Sequence, residues 1–189
     1  MAEQIDSAAH AELVELLIAR SFRRGQFTLA SGRTSSYYVD ARPTTMSARG
    51  LFLVGRLGLA TVRGADWEAT SIGGLTLGAD PVAYAVARAS VDAPPVLDAF
   101  TVRKAAKTHG TGRRIEGVFA AGSRVVIAED VITTGSSALE AVRAVREGEA
   151  TVVGILAVVD REEGGRDALE AEGLEVRALV RLSELTASA

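Results

Sequence analysis

Residues 124–137 read Arg124-Val125-Val126-Ile127-Ala128-Glu129-Asp130-Val131-Ile132-Thr133-Thr134-Gly135-Ser136-Ser137, and a helical pattern through Ala138, Leu139 and Ala141 follows at once. Val125-Val126-Ile127 is apolar on both faces. A strand of that kind is covered by helices on each side, as in parallel sheets. Two acids and a Thr-Thr-Gly-Ser-Ser turn separate it from the next helix. Backbone N–H groups and hydroxyls in such a turn point one way at a helix N-terminus, where the helix dipole adds partial positive charge. That combination suits a phosphate monoester. The lysine of a Walker A loop is absent, so a nucleoside triphosphate is not the natural ligand. Glu129 and Asp130 would repel a phosphate unless they bind something else, and the vicinal hydroxyls of a ribose suit them. The same residues also read as a solvated strand end, with Ser136 or Ser137 only a helix cap.

Outward from this stretch, strands and helices alternate. Apolar or β-branched runs occur at Glu68–Ile72, Val96–Val102, Arg124–Ala128, Thr151–Val159 and Leu174–Leu179, with helical segments at Asp80–Ser90, Ser136–Glu147 and Arg166–Glu172. This order predicts a doubly wound α/β fold, a single mostly parallel sheet flanked by helices. Ahead of it, Leu13, Leu16, Leu17 and Phe22 predict a helix over Ala8–Arg23, capped by Asp6 or Ser7 and ended by Gly25. Residues 27–29 and 37–39 read as short extended runs around a Ser/Gly-rich turn, and a second helix runs from Ser47 to about Arg63. Residues 1–45 are then a small N-terminal cap and 46–189 the α/β core of one domain. Open parallel sheets bind ligands beyond the carboxyl ends of their strands, and the chemistry-bearing residues follow the apolar runs.

Composition excludes several chemistries. A chain of 189 residues with 48% hydrophobic and 24% charged residues is an ordinary soluble globular protein. With no cysteine there is no disulfide, thiolate nucleophile, iron–sulfur cluster or cysteine-ligated zinc. The two histidines, His10 and His109, do not build a metal cage. His10 stands on the first helix without chemical neighbours and reads as structural or exposed. A net charge of −3 supplies no field that draws in nucleic acid or anionic membrane. The N-terminus lacks the basic start and apolar stretch of a secretory signal, and no apolar run reaches the roughly 18 residues of a membrane span. The expectation is a cytoplasmic protein with no nucleic-acid or membrane partner.

After Val102 comes Arg103-Lys104-Ala105-Ala106-Lys107-Thr108-His109-Gly110-Thr111-Gly112-Arg113-Arg114-Ile115-Glu116-Gly117, in which five cations and one histidine fall within twelve residues. Its glycines predict a mobile loop over residues 103–117 that closes over a polyanion and expels water. Its cations would neutralise charge on a polyanionic leaving group. The alternatives are a solubilising surface loop or a nucleic-acid patch. The second is disfavoured by the absence of interleaved aromatics and by the acidic chain.

The whole of Arg124–Ser137 resembles the phosphoribosyl pyrophosphate (PRPP) motif of type I phosphoribosyltransferases. The resemblance implies that Glu129 and Asp130 hold the ribose 2- and 3-hydroxyls. It implies too that Thr133, Thr134, Gly135, Ser136 and Ser137, with Val131 and Ile132 before them, wrap the 5-phosphate. The spacing Arg-Lys-x-x-Lys-x-His-Gly at 103–110 resembles the catalytic loop of orotate phosphoribosyltransferases in particular. That implies PRPP contacts for Arg103, Lys104, Lys107 and His109, with Arg103, Lys107 and His109 catalytic. In the family this loop crosses to the neighbouring subunit, which implies a homodimer. Arg113 and Arg114 lie outside the pattern.

Thr28–Arg33 followed by Tyr37-Tyr38 resembles the family segment that covers the base, so Tyr37 and Tyr38 are implied to frame orotate. They alternate faces on an extended chain, so at most one stacks directly. Arg161, after the strand Val152–Asp160, is implied to meet orotate together with Thr133, through paired guanidinium hydrogen bonds. The other reading of Arg161 is a surface Asp-Arg-Glu-Glu salt-bridge cluster. Family members often carry lysine where this chain has Ala30, and some where it has Leu77, which shifts the anion load to the loop cations. Residues 73–78 read as a glycine turn that lets backbone approach pyrophosphate. The implied reaction is Mg²⁺-dependent transfer of the phosphoribosyl group from PRPP to orotate, giving orotidine 5-phosphate and pyrophosphate for pyrimidine (UMP) biosynthesis. Mg²⁺ would be carried by PRPP itself, since no dense carboxylate cage is present. A transferase for another base and a non-catalytic PRPP sensor are the alternatives.

Overall fold

The computed structural model describes residues 6–28, 34–105 and 114–189. The chain begins with α1 (Ser7–Arg20), the hairpin strands β1 (Phe22–Thr28) and β2 (Thr34–Val39), then α2 (Arg42–Thr45) and α3 (Ala48–Gly64). There follow β3 (Ser71–Leu75), α4 (Ala79–Val91), β4 (Asp98–Val102), β5 (Ile115–Gly117), β6 (Arg124–Ile132) and α5 (Ser136–Glu147). The chain ends with β7 (Thr151–Asp160), α6 (Gly165–Glu170), β8 (Val176–Arg181) and α7 (Leu182–Ser188). Six strands form one sheet in the order β5-β4-β3-β6-β7-β8. All its pairings are parallel except that of the edge strand β5, which runs antiparallel to β4.

The sheet separates two apolar clusters. Leu13 and Leu17 of α1, Leu53 and Leu57 of α3, and Val82 and Val86 of α4 pack with Val126, Ala128 and Leu156 on one face. Ala141, Val142 and Val145 of α5 and Leu169 of α6 pack with Val125, Ile127 and Ile155 on the other. Successive side chains of a strand point to opposite faces. Val125, Val126 and Ile127 therefore serve the two clusters in turn, and all three are fully buried. Each such burial contributes about 1.5–3 kcal/mol. This is the doubly wound, helix-flanked sheet that the alternation of elements predicts.

Several boundaries differ from the sequence reading. Asp6 does cap α1, its Oδ1 accepting from the N–H groups of Ala8 and Ala9. The helix stops at Arg20, however, and Phe22 begins a strand instead of extending the helix. The buried Ser21 hydroxyl bonds the Thr44 hydroxyl at 2.7 Å and fixes the turn there. The third strand is Ser71–Leu75, displaced from the expected Glu68–Ile72. It takes in Gly73 and Gly74, so the expected turn at 73–78 shrinks to residues 76–78. A Cβ on Gly73 would lie 2.2 Å from the Phe100 carbonyl oxygen, and one on Gly74 2.2 Å from that of Ala128. These glycines let neighbouring backbones approach, in a strand rather than a turn. Residues 115–117 of the expected loop pair with Phe100–Val102 as β5. The short α2 and the terminal α7 are additional elements.

The N-terminal elements are tied to the far end of the sheet. Nε2 of His10 bonds the Leu179 carbonyl at 3.0 Å and lies 3.3 Å from Glu184 Oε2. Arg24 donates to the carbonyls of Thr186 and Ala189. Among the described residues, no helix is long and apolar enough to cross a membrane.

Candidate active site

β6 pairs with β3 only as far as Ile127, but with β7 through to Ile132. Beyond Ile127 the ladder to β3 stops, because β3 ends at Leu75 and the chain turns at residues 76–78. This is also where the winding reverses: β3 leads through α4 to β4 on one side, and β6 through α5 to β7 on the other. Such a switch point is where doubly wound sheets form their ligand crevice. A cleft of about 290 Å³ opens there, between the Tyr38–Arg42 segment, the turn 76–78, Lys104 and the β6–α5 junction.

Two helices begin at this cleft. Gly78 stands at the N-cap of α4 and Gly135 at that of α5, and among the described residues neither end has a side-chain cap. Their first N–H groups are thus available to anions. Neither Ser136 nor Ser137 is the cap. Gly135 is left-handed at φ 79°, and a Cβ there would lie 3.0 Å from both the Gly165 carbonyl and Leu169 Cγ. Thr133 and Ser137 line the cleft, Thr134 Oγ1 donates to Ser136 Oγ at 3.2 Å, and the Ile132 side chain is buried in the core. Whatever Ile132 offers a ligand is therefore backbone. Val131 is half-buried at the cleft wall.

Glu129 and Asp130 lie inside β6, not beyond it, and this extension of the strand buries Glu129 and half-buries Asp130. Glu129 is 6% exposed, and its Oε2 has no hydrogen-bond partner among the described residues. Burial pushes its pKa well above the ordinary carboxylate range, and the neighbouring Asp130 charge pushes the same way. Burial also raises Asp130, opposed by a hydrogen bond from the Val131 N–H at 2.9 Å and by the charge of Arg42. Glu129 Oε2, buried without a partner among the described residues, is a receptor for a hydroxyl donor.

The turn before α4 is braced. Asp80 accepts from Thr76 Oγ1 at 2.7 Å and from Thr101 Oγ1 at 2.8 Å, and the Tyr84 hydroxyl bonds Thr101 Oγ1 at 2.9 Å. The turn and the end of β4 are thereby held together. Arg103 and Lys104 follow, both exposed, and Lys104 lines the cleft. The Arg103 N–H donates to the Arg114 carbonyl at 2.9 Å, and Arg114 pairs with Glu140 at 2.6 Å, so both stems of the loop are anchored. Lys107, His109, Arg113 and Ala30 lie outside the described residues. Leu77 is exposed and lines the cleft.

Tyr38 and Tyr37 divide as strand alternation requires. Tyr38 lines the cleft with its ring 5.5 Å from Phe27. Tyr37 stacks on Phe22 at 5.5 Å and packs against the core. Arg161 is 4% exposed, which overturns the surface-cluster reading. Its N–H donates to the Ile132 carbonyl at 3.0 Å, and its Nη2 donates to Glu163 at 2.6 Å and Ser35 Oγ at 3.3 Å. Nε has no partner among the described residues. Arg161 thus ties β7 to β2 of the hairpin. Sequence reasoning missed Asp40 and Arg42, both at the cleft wall. The signal was a cation immediately after the extended run at 37–39.

Residues 62–172 match the phosphoribosyl transferase domain family. The orotate phosphoribosyltransferase of Mycobacterium avium is 49% identical over 174 residues, which span 92% of this chain and 94% of that protein. The chain belongs to the orotate phosphoribosyltransferase family. Among solved structures of this fold, a phosphoribosyltransferase from Corynebacterium diphtheriae matches with a TM-score of 0.83 and 44% identity, over 95% of this chain and 99% of that one. The Mycobacterium tuberculosis orotate phosphoribosyltransferase, solved in complex with PRPP, matches with a TM-score of 0.77 and 42% identity, over 94% and 92%. The family's fold is that of the type I phosphoribosyltransferases, and the chain shares it over most of its length.

The acid pair gives a pH prediction. A carboxyl raised in the folded state stabilises the fold at low pH, and that stability is lost as pH rises from the ordinary values of 4.5 and 3.8 through the raised ones. Glu129→Gln removes the larger part of this loss. The variant should melt higher than wild type at pH 7, with the gap closing toward pH 4, while its PRPP affinity falls. Thermal melts across that range check it; a variant that melts lower at pH 7 contradicts the buried-charge account.

Proposed function

We propose that the chain transfers the 5-phosphoribosyl group from PRPP to orotate, releasing pyrophosphate, with residues 1–189 acting as one phosphoribosyltransferase domain. The observation that carries this is the switch-point cleft itself, where two uncapped helix N-termini flank the buried Glu129 and the half-buried Asp130. One N-terminus suits the 5-phosphate, the other the diphosphate, and the carboxylates between them suit the ribose hydroxyls. The bond from the ribose anomeric carbon to the diphosphate oxygen breaks, a bond from that carbon to an orotate ring nitrogen forms with inversion, and the proton of that nitrogen leaves with the departing diphosphate. The transition state is oxocarbenium-like, and its charge develops beside Glu129 and Asp130.

Thr133–Ser137 bind the 5-phosphate, and Glu129 and Asp130 the 2- and 3-hydroxyls. Arg103, Lys104, Lys107 and His109 meet the departing diphosphate. Arg161, Thr133 and the Tyr37–Tyr38 segment orient orotate, with Tyr38 supplying the ring at the cleft. PRPP would carry Mg²⁺ into the cleft, and the ion would offset negative charge there. Among the described residues no group of three or more His, Cys, Asp or Glu side chains could hold a metal ion. The hard oxygens of the acid pair are suitable neighbours for a donor-borne ion.

The active form in this reading is a cytoplasmic homodimer in which loop 103–117 completes the neighbouring site. Support comes from the loop sequence and from the α3–α4 face, where Phe52, Tyr84 and Val91 are exposed. Loss of orotate absorbance on mixing protein, PRPP and Mg²⁺, with uracil and hypoxanthine as controls, tests the reaction and the base together. Turnover of orotate alone is expected. Saturable PRPP binding without turnover of any base would make the chain a PRPP sensor instead.

A further inference from the structure

The charges around the cleft do not suit a polyanion as they stand. Among the described residues its lining holds three carboxylates, Asp40, Glu129 and Asp130, and two cations, Arg42 and Lys104. A diphosphate entering beside those carboxylates requires positive charge held close to the α4 turn. Lys104 is an exposed side chain on the stem of a loop. Arg42 is fixed. Asp40 accepts from its Nε at 2.8 Å and its Nη2 at 2.9 Å, and from its backbone N–H at 3.1 Å.

That grip uses the Nε–Nη2 edge and leaves Nη1 for another acceptor. The position is also specific. The Asp130 carboxylate lies directly over Gly78, at the start of α4, and Arg42 is the cation acting on that carboxylate. Lys104 acts on Glu129. Arg42 lines the same cleft as Asp130 and residues 76–78, where the second helix N-terminus opens. A guanidinium pre-oriented by a neighbouring carboxylate suits a phosphate oxygen pair better than a free lysine does.

We infer that Arg42 is a binding residue for the diphosphate of the phosphoribosyl donor, held ready by Asp40. The inference rests on the PRPP reading above and adds a residue to it. It also gives the cleft a fixed cation where Leu77 supplies none.

Calorimetric titration of Mg-pyrophosphate, PRPP and ribose 5-phosphate into wild type, Arg42→Gln, Arg42→Lys and Asp40→Asn tests it. Arg42→Gln should weaken pyrophosphate and PRPP by about 10- to 100-fold, the range for a lost charge-assisted contact, and leave ribose 5-phosphate within about twofold. Arg42→Lys should recover part of the loss, and it guards against a folding defect in the glutamine variant. Asp40→Asn removes a negative charge but keeps an oxygen that accepts from Arg42, so the hold and the lost repulsion offset and pyrophosphate binding should stay within about threefold of wild type. Were the Asp40–Arg42 pair only a structural staple, Asp40→Asn would copy Arg42→Gln. That result, unchanged pyrophosphate binding in Arg42→Gln, or an equal loss for ribose 5-phosphate overturns the inference. Wild type that binds neither PRPP nor pyrophosphate overturns the proposed function along with it. Wild type that binds both without turning over orotate overturns the proposed reaction, and the Arg42 comparison stands.

Discussion

Gly78→Ala should lower kcat/KM for PRPP by about 100-fold while leaving Tm within about two degrees of wild type. A Cβ at this position would lie 2.4 Å from Asp130 Oδ1, 2.5 Å from its Cγ and 2.6 Å from its Oδ2. No real contact is that short, so the carboxylate has to swing away. Asp130 is short and largely enclosed, and a displacement of about 1 Å at a positioning group costs on the order of 10²-fold. The backbone does not object to the substitution. Gly78 has φ −66° and ψ −40°, which alanine adopts freely at a helix start. The loss is therefore one of geometry at the acid pair, not of folding. PRPP kinetics near wild type would mean that Asp130 can move without consequence. A large drop in Tm would mean that Gly78 serves the fold.

Turnover should fall by about 10²- to 10³-fold in Lys107→Ala, with KM for orotate nearly unchanged. Lys107 belongs to the run Arg103-Lys104-Ala105-Ala106-Lys107-Thr108-His109-Gly110. The stems of that run are pinned beside the cleft by the Arg103–Arg114 backbone bond and the Arg114–Glu140 pair. A cation carried by this loop meets charge that grows on the leaving diphosphate, so its loss falls on the chemical step. Orotate touches other residues, chiefly Arg161 in the proposed site, and its binding is spared. Steady-state kinetics with each substrate varied in turn separate the two. Turnover within about threefold of wild type would remove Lys107 from catalysis, because preorganised electrostatic groups are worth far more.

What the sequence made legible was local or strictly periodic. Val125-Val126-Ile127 announces a strand buried on both faces, and its side chains alternate between two cores as that pattern requires. Glycine, hydroxyls and a following helix mark the β6–α5 turn without any tertiary information. The misses depend on partners distant in sequence. β5 has only three residues and exists because Phe100–Val102 offers it an edge. β6 runs on to Ile132 because β7 keeps pairing with it after β3 has left, and that pairing buries Glu129. The three-residue displacement of β3 arose because glycines normally weaken strands, whereas here neighbouring backbones leave no room for a Cβ.

In the site, the motif residues were legible and their surroundings were not. Tyr37 and Tyr38 were separable in principle by alternation, but only the fold decides which one faces Phe22 and the core. Arg161 sits in a run of charged residues that reads as surface, yet the hairpin covers it. Arg42 escaped notice because it forms an exposed ion pair with Asp40, and only the fold shows the cleft beside it.

The most direct test of the site is a crystal structure of the protein with Mg²⁺ and PRPP bound. The 5-phosphate should lie on the N–H groups of residues 134–137, and the ribose hydroxyls on Glu129 and Asp130. The diphosphate should lie at residues 76–78 within reach of Arg42. PRPP bound outside the β3–β6 cleft, or lying in it end for end, would contradict the assignment of every group in the site.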